Sequence, residues 1–429
     1  MNLKNKLKSK KVIIGIIGLG YVGLPLANAF VNKNIKVYGF DNDKTKIKKI
    51  NQGKSYINYF SDTQIQKMKK NNFKCFTNLE KIPEVDLIIL CLPTPVYKNK
   101  SPDISYIKNT LEELKTYFRK YQTLSLESTT YPGTSREVIL PYLKKFNVGK
   151  DFFLVYSPER EDPGNKKYSI LKIPKVIGGY SRKCLELGSK FYSLLGIKLI
   201  KVSSLESAEL TKLLENIYRS VNIGMVNEMK LLCNKMKINI FEVINAAKTK
   251  PFGFQAFYPG PGYGGHCIPI DPFLLSWRAK QFKMKTKFIE LSGKVNEAMP
   301  SLIVSKIIAL HKKEIKKIPK ILIIGAAYKK NVDDIRESPA LKIMNILNKK
   351  KIKYDYLDPY VKEINNTRQI NKKIKSISIR YNLLSNYTLT AIITDHDNLN
   401  YLKILKYSNL ILDTRGRYAF IKSKKVIQA

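Results

Sequence analysis

The chain has 429 residues, 77 Lys and Arg against 34 Asp and Glu, and a net charge of +43, yet 44% of its residues are hydrophobic. That length and apolar content exclude a disordered or fibrous chain and leave room for two or three domains, each with its own core. The lysines are scattered among Asn and Ile rather than gathered into an arm, and no nucleic-acid-binding module accompanies them, so the charge is read as surface bias and no nucleic-acid partner is expected.

The first informative segment is residues 12–31, uncharged and preceded by several lysines, with Ala27-Asn28-Ala29 imitating a signal-peptide cleavage site. Gly15, Gly18, Gly20, Gly23 and Pro25 interrupt it and would weaken an export or membrane helix. The expectation is that this segment is retained in a cytoplasmic protein that does not enter a membrane. Residues 11–17 read as a buried strand, Gly18-Leu19-Gly20-Tyr21-Val22-Gly23 as a turn, 24–32 as a helix and 35–40 as a second strand ending at Asp41. This is the G-x-G-x-x-G fingerprint in its βαβ context, with pyrophosphate on the helix N-terminus and a carboxylate for the ribose diol. Gly18, Gly20, Tyr21, Val22, Gly23 and Asp41 are therefore expected to bind NAD, the acid disfavouring the 2′-phosphate of NADP.

Further strands are expected at 85–91, 123–126 and 152–156, followed by Leu92-Pro93-Thr94-Pro95, Glu127-Ser128-Thr129-Thr130 and Ser157-Pro158-Glu159-Arg160. Polar residues at strand ends fit ligand contacts, or equally caps of the following helices. From residue 205 the pattern turns helical, with Leu210, Leu213, Leu214, Ile217 and Val221 at helical spacing, for a dimer interface or interdomain packing. Lys212 and Asn216, four apart, share a face of that helix and taken alone would be dismissed as solvated. The turn Gly262-Tyr263-Gly264-Gly265-His266-Cys267 sets a cysteine among glycines with Asp271 just beyond. Glycines leave a thiol accessible, so Cys267 is read as a nucleophile. The five cysteines, Cys75, Cys91, Cys184, Cys233 and Cys267, form neither a disulfide framework nor CxxC pairs, which suits a reducing compartment. A second doubly wound lobe starts at a strand over 320–324 and Gly325, followed by a helix at 338–348 and strands at 352–357, 389–393 and 409–412. It lacks the full fingerprint, so it is assigned no second dinucleotide. Lys329, Arg336 and Arg415 at its edges are candidates to hold phosphate, or are ordinary surface. His266, His311 and His396 are isolated, and no metal site is expected.

In this order the motifs resemble the UDP-glucose/GDP-mannose dehydrogenase family over essentially the whole chain. The match rests on Gly18-x-Gly20-x-x-Gly23, Leu92-Pro93-Thr94-Pro95, Glu127-Ser128-Thr129 and Ser157-Pro158-Glu159. It continues through Ala208-Glu209-Leu210-x-Lys212-Leu213-x-x-Asn216, Gly262-x-Gly264-Gly265-x-Cys267-x-x-x-Asp271, Lys329 and Asp334-x-Arg336-Glu337-Ser338. Within the family the wording resembles the bacterial branch acting on UDP-N-acetylhexosamines, UDP-N-acetylglucosamine in particular. The Ser157-Pro158-Glu159-Arg160 wording and Tyr258 both depart from the UDP-glucose enzymes.

The resemblance implies two Rossmann-like α/β lobes joined by a central helical dimerisation segment: an NAD-binding domain over 1–204, a helical domain with the cysteine loop over 205–310, and a UDP-sugar-binding domain over 311–429. It implies NAD-dependent, four-electron oxidation of a C6 hydroxyl to a carboxylate in making surface-polysaccharide precursors, by a homodimer or higher homo-oligomer. Cys267 would carry a thiohemiacetal and then a thioester, with Lys212 facing the developing oxyanion, Asp271 ordering a water and Glu159 activating the hydrolytic water. Asn216 and Thr129 join the catalytic set. Pro93, Thr94, Thr129, Lys329 and Arg336 join the cofactor set. Arg160 and Asn216 would meet the sugar, Phe252, Gly253, Phe257 and Tyr258 the nucleotide, Gly262 and Gly264 the substrate loop, and Arg415 with Lys329 the diphosphate. The alternatives are a UDP-glucose 6-dehydrogenase and, in another class, a basic NAD-binding scaffold or nucleic-acid-binding protein.

Overall fold

The computed structural model describes residues 3–57, 60–161, 170–265, 268–314, 320–367 and 369–429. It divides into two compact units, residues 1–215 with 277–284, and residues 216–276 with 285–429.

Unit one is built on eight strands: β1 (Ile13–Ile17), β2 (Lys36–Phe40), β3 (Phe73–Phe76), β4 (Leu87–Leu90), β5 (Thr123–Leu126), β6 (Phe153–Tyr156), β7 (Lys175–Gly179) and β8 (Leu199–Lys201). Their order is β3-β2-β1-β4-β5-β6-β7-β8. All neighbours are parallel except β6 and β7. The helices are α1 (Leu3–Lys8), α2 (Gly23–Val31), α3 (Lys44–Asn51), α4 (Asp62–Lys70), α5 (Ser105–Leu114) and α6 (Arg182–Ser193). β1 is apolar on both faces because both are covered: Ile14 and Ile16 enter one core layer and Ile17 the other. The uncharged run over 12–31 is thus β1, the glycine turn and α2, a buried βα unit.

The long helix α7 (Leu205–Met236) begins in unit one and continues into unit two, followed by α8 (Ile240–Ala247), α9 (Asp271–Gln281) and α10 (Lys287–Glu314). The second sheet takes β9 (Ile321–Ile324), β10 (Tyr354–Leu357), β13 (Leu389–Ile392), β14 (Ile411–Asp413) and β15 (Val426–Gln428) in the all-parallel order β10-β9-β13-β14-β15. β11 (Glu363–Ile364) and β12 (Ile374–Lys375) form an antiparallel ribbon, and α11 (Pro339–Lys349) and α12 (Tyr401–Tyr407) complete the lobe. The fold is therefore the expected α/β pair of doubly wound lobes with a long helix between them in sequence.

The apolar set of α7 straddles the rim of its buried side, Leu213 and Ile217 being buried and Leu210 and Leu214 exposed. One expectation for α7 needs correction. Lys212 and Asn216, which the sequence alone would leave to solvent, are both buried, because they lie on the same side of the helix as Leu213 and Ile217. Among the described residues, no helix is long and apolar enough to cross a membrane.

Candidate active site

The C-terminal ends of β1, β2 and β4 enclose a cavity of about 240 Å³, lined by Gly18, Gly20, Asp41, Lys46, Leu92 and Pro93 among others. It sits where the strand order reverses, between β1 and β4, the place at which open α/β sheets bind ligands. The three fingerprint glycines answer to different constraints. Gly18 has φ +91°, and a Cβ there would lie 2.4 Å from the Cys91 carbonyl oxygen. A Cβ on Gly23 would lie 1.9 Å from the Gly18 oxygen, so helix and turn close on each other only without a side chain. A Cβ on Gly20 would meet nothing within 4 Å. Protein packing therefore does not demand glycine at Gly20, whereas close approach of a ligand to the backbone does. No side chain caps the N-terminus of α2, which leaves its first amides for an anion. These features fit a dinucleotide.

Asp41 is buried at the end of β2. One carboxylate oxygen accepts the Leu19 N–H at 2.9 Å and the other the Asp43 N–H at 3.0 Å. Lys46, whose approach the sequence reading missed, reaches the same carboxylate at 3.1 Å. Asp43 fixes this geometry by capping α3, accepting from the Thr45 and Lys46 amides and so placing Lys46 in the first turn. Thr94 donates to the Thr129 carbonyl at 2.6 Å, tying the β4 loop to the β5 loop. Tyr21 is partly exposed beside Val22 at the mouth of α2. Ser128 and Ser157 prove to be structural: Ser128 accepts from the Leu92 amide and Ser157 donates to the Val176 carbonyl.

Behind the β5 and β6 ends lies a buried charged group. Lys175 donates to Glu127 Oε2 at 2.6 Å, and Tyr192 donates to Glu127 Oε1 at 2.5 Å. Burial, only partly offset by Lys175, pushes the Glu127 carboxyl up to about 6. Glu159 accepts the amides of Arg160 and Glu161 on one oxygen, each at 2.6 Å. Arg160 pairs with Glu215 at 2.5 Å and donates to the Pro174 carbonyl at 2.6 Å. On α7 the buried Glu209 accepts from the Gly133 and Ser135 amides at 2.6 and 2.8 Å, anchoring the turn beyond Thr129 to the helix that carries Lys212. The sequence reading missed Lys175, since no strand is expected at 175–179 and nothing in the sequence pairs it with Glu127.

In unit two Asn216 is fully buried, donating to the Asp271 carboxylate and accepting from Arg219. Asp271 opens α9 and is itself buried. His266, Cys267 and residues 162–169 lie outside the described residues. The loop leading to the cysteine is described up to Gly265, and its glycines have packing reasons. Gly262 has φ +113°, and a Cβ there would lie 3.0 Å from the Asn296 carbonyl, the acceptor that Pro300 leaves unbonded four residues on in α10. A Cβ on Gly264 would lie 2.7 Å from Tyr328 Cβ. The Gly265 amide donates to the Arg336 carbonyl at 2.9 Å, so the loop is sewn to the segment carrying Lys329 and Arg336. Arg336 makes a two-pronged contact with Asp334, its Nη2 at 2.6 Å. Arg415 packs over Gly260 and donates to the Ile393 carbonyl at 2.7 Å. Phe257 stacks edge-on against Tyr218, and Tyr258 donates to Asn245 at 3.1 Å. Phe252 and Gly253 are exposed and open.

The second lobe repeats the first turn without its opening. Gly325 has φ +89°, and a Cβ there would lie 2.4 Å from Thr394. The residue two further on, matching Gly20 in spacing, is the buried Ala327. Asp358, at the end of β10 as Asp41 is at the end of β2, accepts from the Ala326 and Ala327 amides at 2.7 and 3.0 Å and from His396 Nε2 at 3.0 Å. The His396 contact holds the Asp358 carboxyl below its usual value despite burial. His396 Nδ1 accepts from the Asn331 amide, so the ring is a structural strut.

Residues 12–195, 206–298 and 322–419 match in turn the NAD binding, central and UDP binding domains of the UDP-glucose/GDP-mannose dehydrogenase family. The chain belongs to that family. It is 33% identical over 359 residues to the UDP-N-acetyl-D-glucosamine 6-dehydrogenase of Pseudomonas aeruginosa, covering 82% of this chain and 84% of that one. It is 34% identical over 360 residues to the UDP-N-acetyl-D-mannosamine dehydrogenase of Methanocaldococcus jannaschii, covering 82% and 80%. The solved UDP-D-ManNAc dehydrogenase of Pyrococcus horikoshii superposes with a TM-score of 0.86 at 29% identity over 97% of both chains. The protein is thus an NAD-dependent nucleotide-sugar dehydrogenase with a UDP-sugar substrate, and the scaffold and nucleic-acid readings fall away.

Proposed function

We propose that this enzyme oxidises the C6 hydroxyl of a UDP-N-acetylhexosamine, UDP-N-acetylglucosamine in the first instance, to the 6-carboxylate for surface-polysaccharide precursors. The carrying observation is the similarity to the P. aeruginosa enzyme over most of both chains, together with the Ser157-Pro158-Glu159-Arg160 and Tyr258 wording. A second reading, UDP-N-acetylmannosamine, is supported by the M. jannaschii and P. horikoshii relatives.

NAD, when bound, accepts the hydride in each oxidation. In the first, Lys212 stabilises the alkoxide as the hydroxyl proton passes to water ordered by Asp271, itself held by Asn216. In the second, the Cys267 thiolate adds to the aldehyde, the resulting thiohemiacetal loses hydride, and a thioester remains. Water then adds to the thioester carbonyl, Glu159 takes its proton, and the thiolate leaves. Arg415 and Lys329 are assigned the diphosphate, Arg160 and Asn216 the sugar, Phe252, Gly253, Phe257 and Tyr258 the nucleotide, and Gly262 and Gly264 the loop over the substrate. Pro93, Thr94 and Thr129 are assigned to NAD, and Arg336 remains in the cofactor set.

We also place the enzyme in the cytoplasm, since the four described cysteines are free thiols. A homodimer is supported by the stripe Tyr218, Met225, Met229, Leu232 and Met236, all exposed on one face of α7. The three-domain partition at 1–204, 205–310 and 311–429 remains our functional division.

The test is NADH formation from UDP-N-acetylglucosamine, UDP-N-acetylmannosamine, UDP-N-acetylgalactosamine and UDP-glucose. The highest kcat/KM is expected for UDP-N-acetylglucosamine. A tenfold advantage for another sugar would replace it.

A further inference from the structure

Lys175 opens β7 with its side chain buried inside unit one, where an ammonium is tolerated only if paired. Its Nζ lies 2.6 Å from Glu127 Oε2, 3.4 Å from the Pro158 carbonyl and 3.9 Å from Glu159 Oε2. Both oxygens of Glu127 are engaged, the second by Tyr192, whose hydroxyl also meets Ser125 at 2.8 Å. Glu159 is held differently. Its Oε1 takes two backbone amides, while Oε2 is buried, has no hydrogen-bond donor among the described residues and faces the ammonium. The carboxylate is thus fixed from two sides, one oxygen by the backbone and the other turned toward the ammonium, and a general base for water has to be held in one orientation.

We propose that Lys175 is the positioning residue of the acid-releasing step: anchored on Glu127, its ammonium orients the Glu159 carboxylate that takes a proton from water. This rests on the reading of Glu159 as that base. The charged and titratable groups around the ammonium are Glu127 from β5, Glu159 after β6, Tyr192 from α6 and Cys91 at the end of β4. The two carboxylates share one cation, so they compete for it. Removing Glu127's charge leaves the ammonium to Glu159, and removing the ammonium as well leaves Glu159 with none. A purely structural Lys175 would leave the limbs of the two variants alike.

The experiment uses the full chain with NAD⁺ and the UDP-sugar that the panel selects, following acid release against pH and trapped thioester by acid-quenched intact-protein mass spectrometry. Lys175→Met alone would strand Glu127 in the core, so the informative variants are Glu127→Gln and Glu127→Gln/Lys175→Met. We expect the acidic limb of the release rate to hold or move down in the first. In the second it should move up by about one pH unit or more, with thioester accumulating at neutral pH as release slows roughly tenfold. Glu127→Gln/Lys175→Arg should restore the limb. Identical limbs in the two informative variants would overturn the role of Lys175. Glu159→Gln separates the two ideas. If it releases acid at the parent rate, the base assignment falls. If it stalls at the thioester while the double variant does not shift, only the present inference falls.

Discussion

Replacing Asp41 should change which cofactor the enzyme uses, and the geometry sets the size of the effect. The carboxylate is almost fully buried and is touched by the Leu19 amide, the Asp43 amide and Lys46. Two amides are fixed by the fold, so the mobile neighbour of an incoming ribose diol is the Lys46 ammonium, which is about one-third exposed. Asp41→Ala removes charge-assisted hydrogen bonds to the diol, worth roughly 1.5–3 kcal/mol together after exchange with water. It also frees Lys46 beside the position of a 2′-phosphate, adding about 0.5–1 kcal/mol in favour of NADP⁺. The swing of roughly 2–4 kcal/mol corresponds to about 30- to 700-fold in the ratio of kcat/KM for NAD⁺ over NADP⁺. The parent enzyme should prefer NAD⁺ by tenfold or more. Steady-state kinetics with both cofactors on the parent, Asp41→Ala and Asp41→Ala/Lys46→Ala measure it, the double variant losing the NADP⁺ gain. An unchanged ratio in Asp41→Ala would refute the assignment of the carboxylate to the ribose.

Gly20→Ala should fold with the parent's thermal midpoint but bind NAD⁺ at least several-fold more weakly by titration, because its Cβ meets no protein atom and projects toward the cavity. Gly23→Ala, whose Cβ would lie 1.9 Å from the Gly18 oxygen, should instead lose soluble yield or several degrees of Tm. Cys267→Ala should form at most one NADH per sugar and almost no acid, measured by product mass spectrometry. Near-parental acid formation would remove the thiol from the mechanism. Lys230 is buried on α7, where it donates to the Thr414 carbonyl at 3.3 Å and, among the described residues, to no other group, and desolvation brings it down to about 7. A lysine whose folded pKa is depressed favours unfolding as pH falls from its unfolded value near 10.5 through 7. Lys230→Met should therefore be the more stable protein at pH 7, on the order of 2–4 kcal/mol by denaturant titration, with the gap closing toward pH 10.

The elements that sequence revealed are those whose residues carry their own reason. β1, β2 and β5 stand out because both faces are buried, and Gly18 and Gly23 because the surrounding backbone leaves no room for a side chain. β8 escaped notice as a three-residue edge strand with two exposed positions, and α10 because Pro300 argues against a helix whose freed carbonyl is in fact packed by Gly262. Long-range pairing is the other blind spot. Asp41 was legible and Lys46 five residues later was not, since a surface lysine in a chain of net charge +43 announces nothing. Lys175 and Glu127, 48 residues apart, meet only because β5, β6 and β7 are neighbours in the sheet.

The two glycine turns at the ends of β1 and β9 are a socket and a plugged socket. In the second, Asp358 takes both the Ala326 and Ala327 amides and is itself bonded to His396, so the turn is closed from within the lobe. In the first, Asp41 takes the Leu19 amide and the Gly20 carbonyl the Leu24 amide, while no side chain caps α2. The chain thus has one nucleotide-sized keyhole whose rigidity is lent by its guest and one whose rigidity is built in. Hydrogen exchange should report the difference: the Leu19, Ala326 and Ala327 amides slow in every state, and the Gly20 amide slowing further once the cofactor is seated.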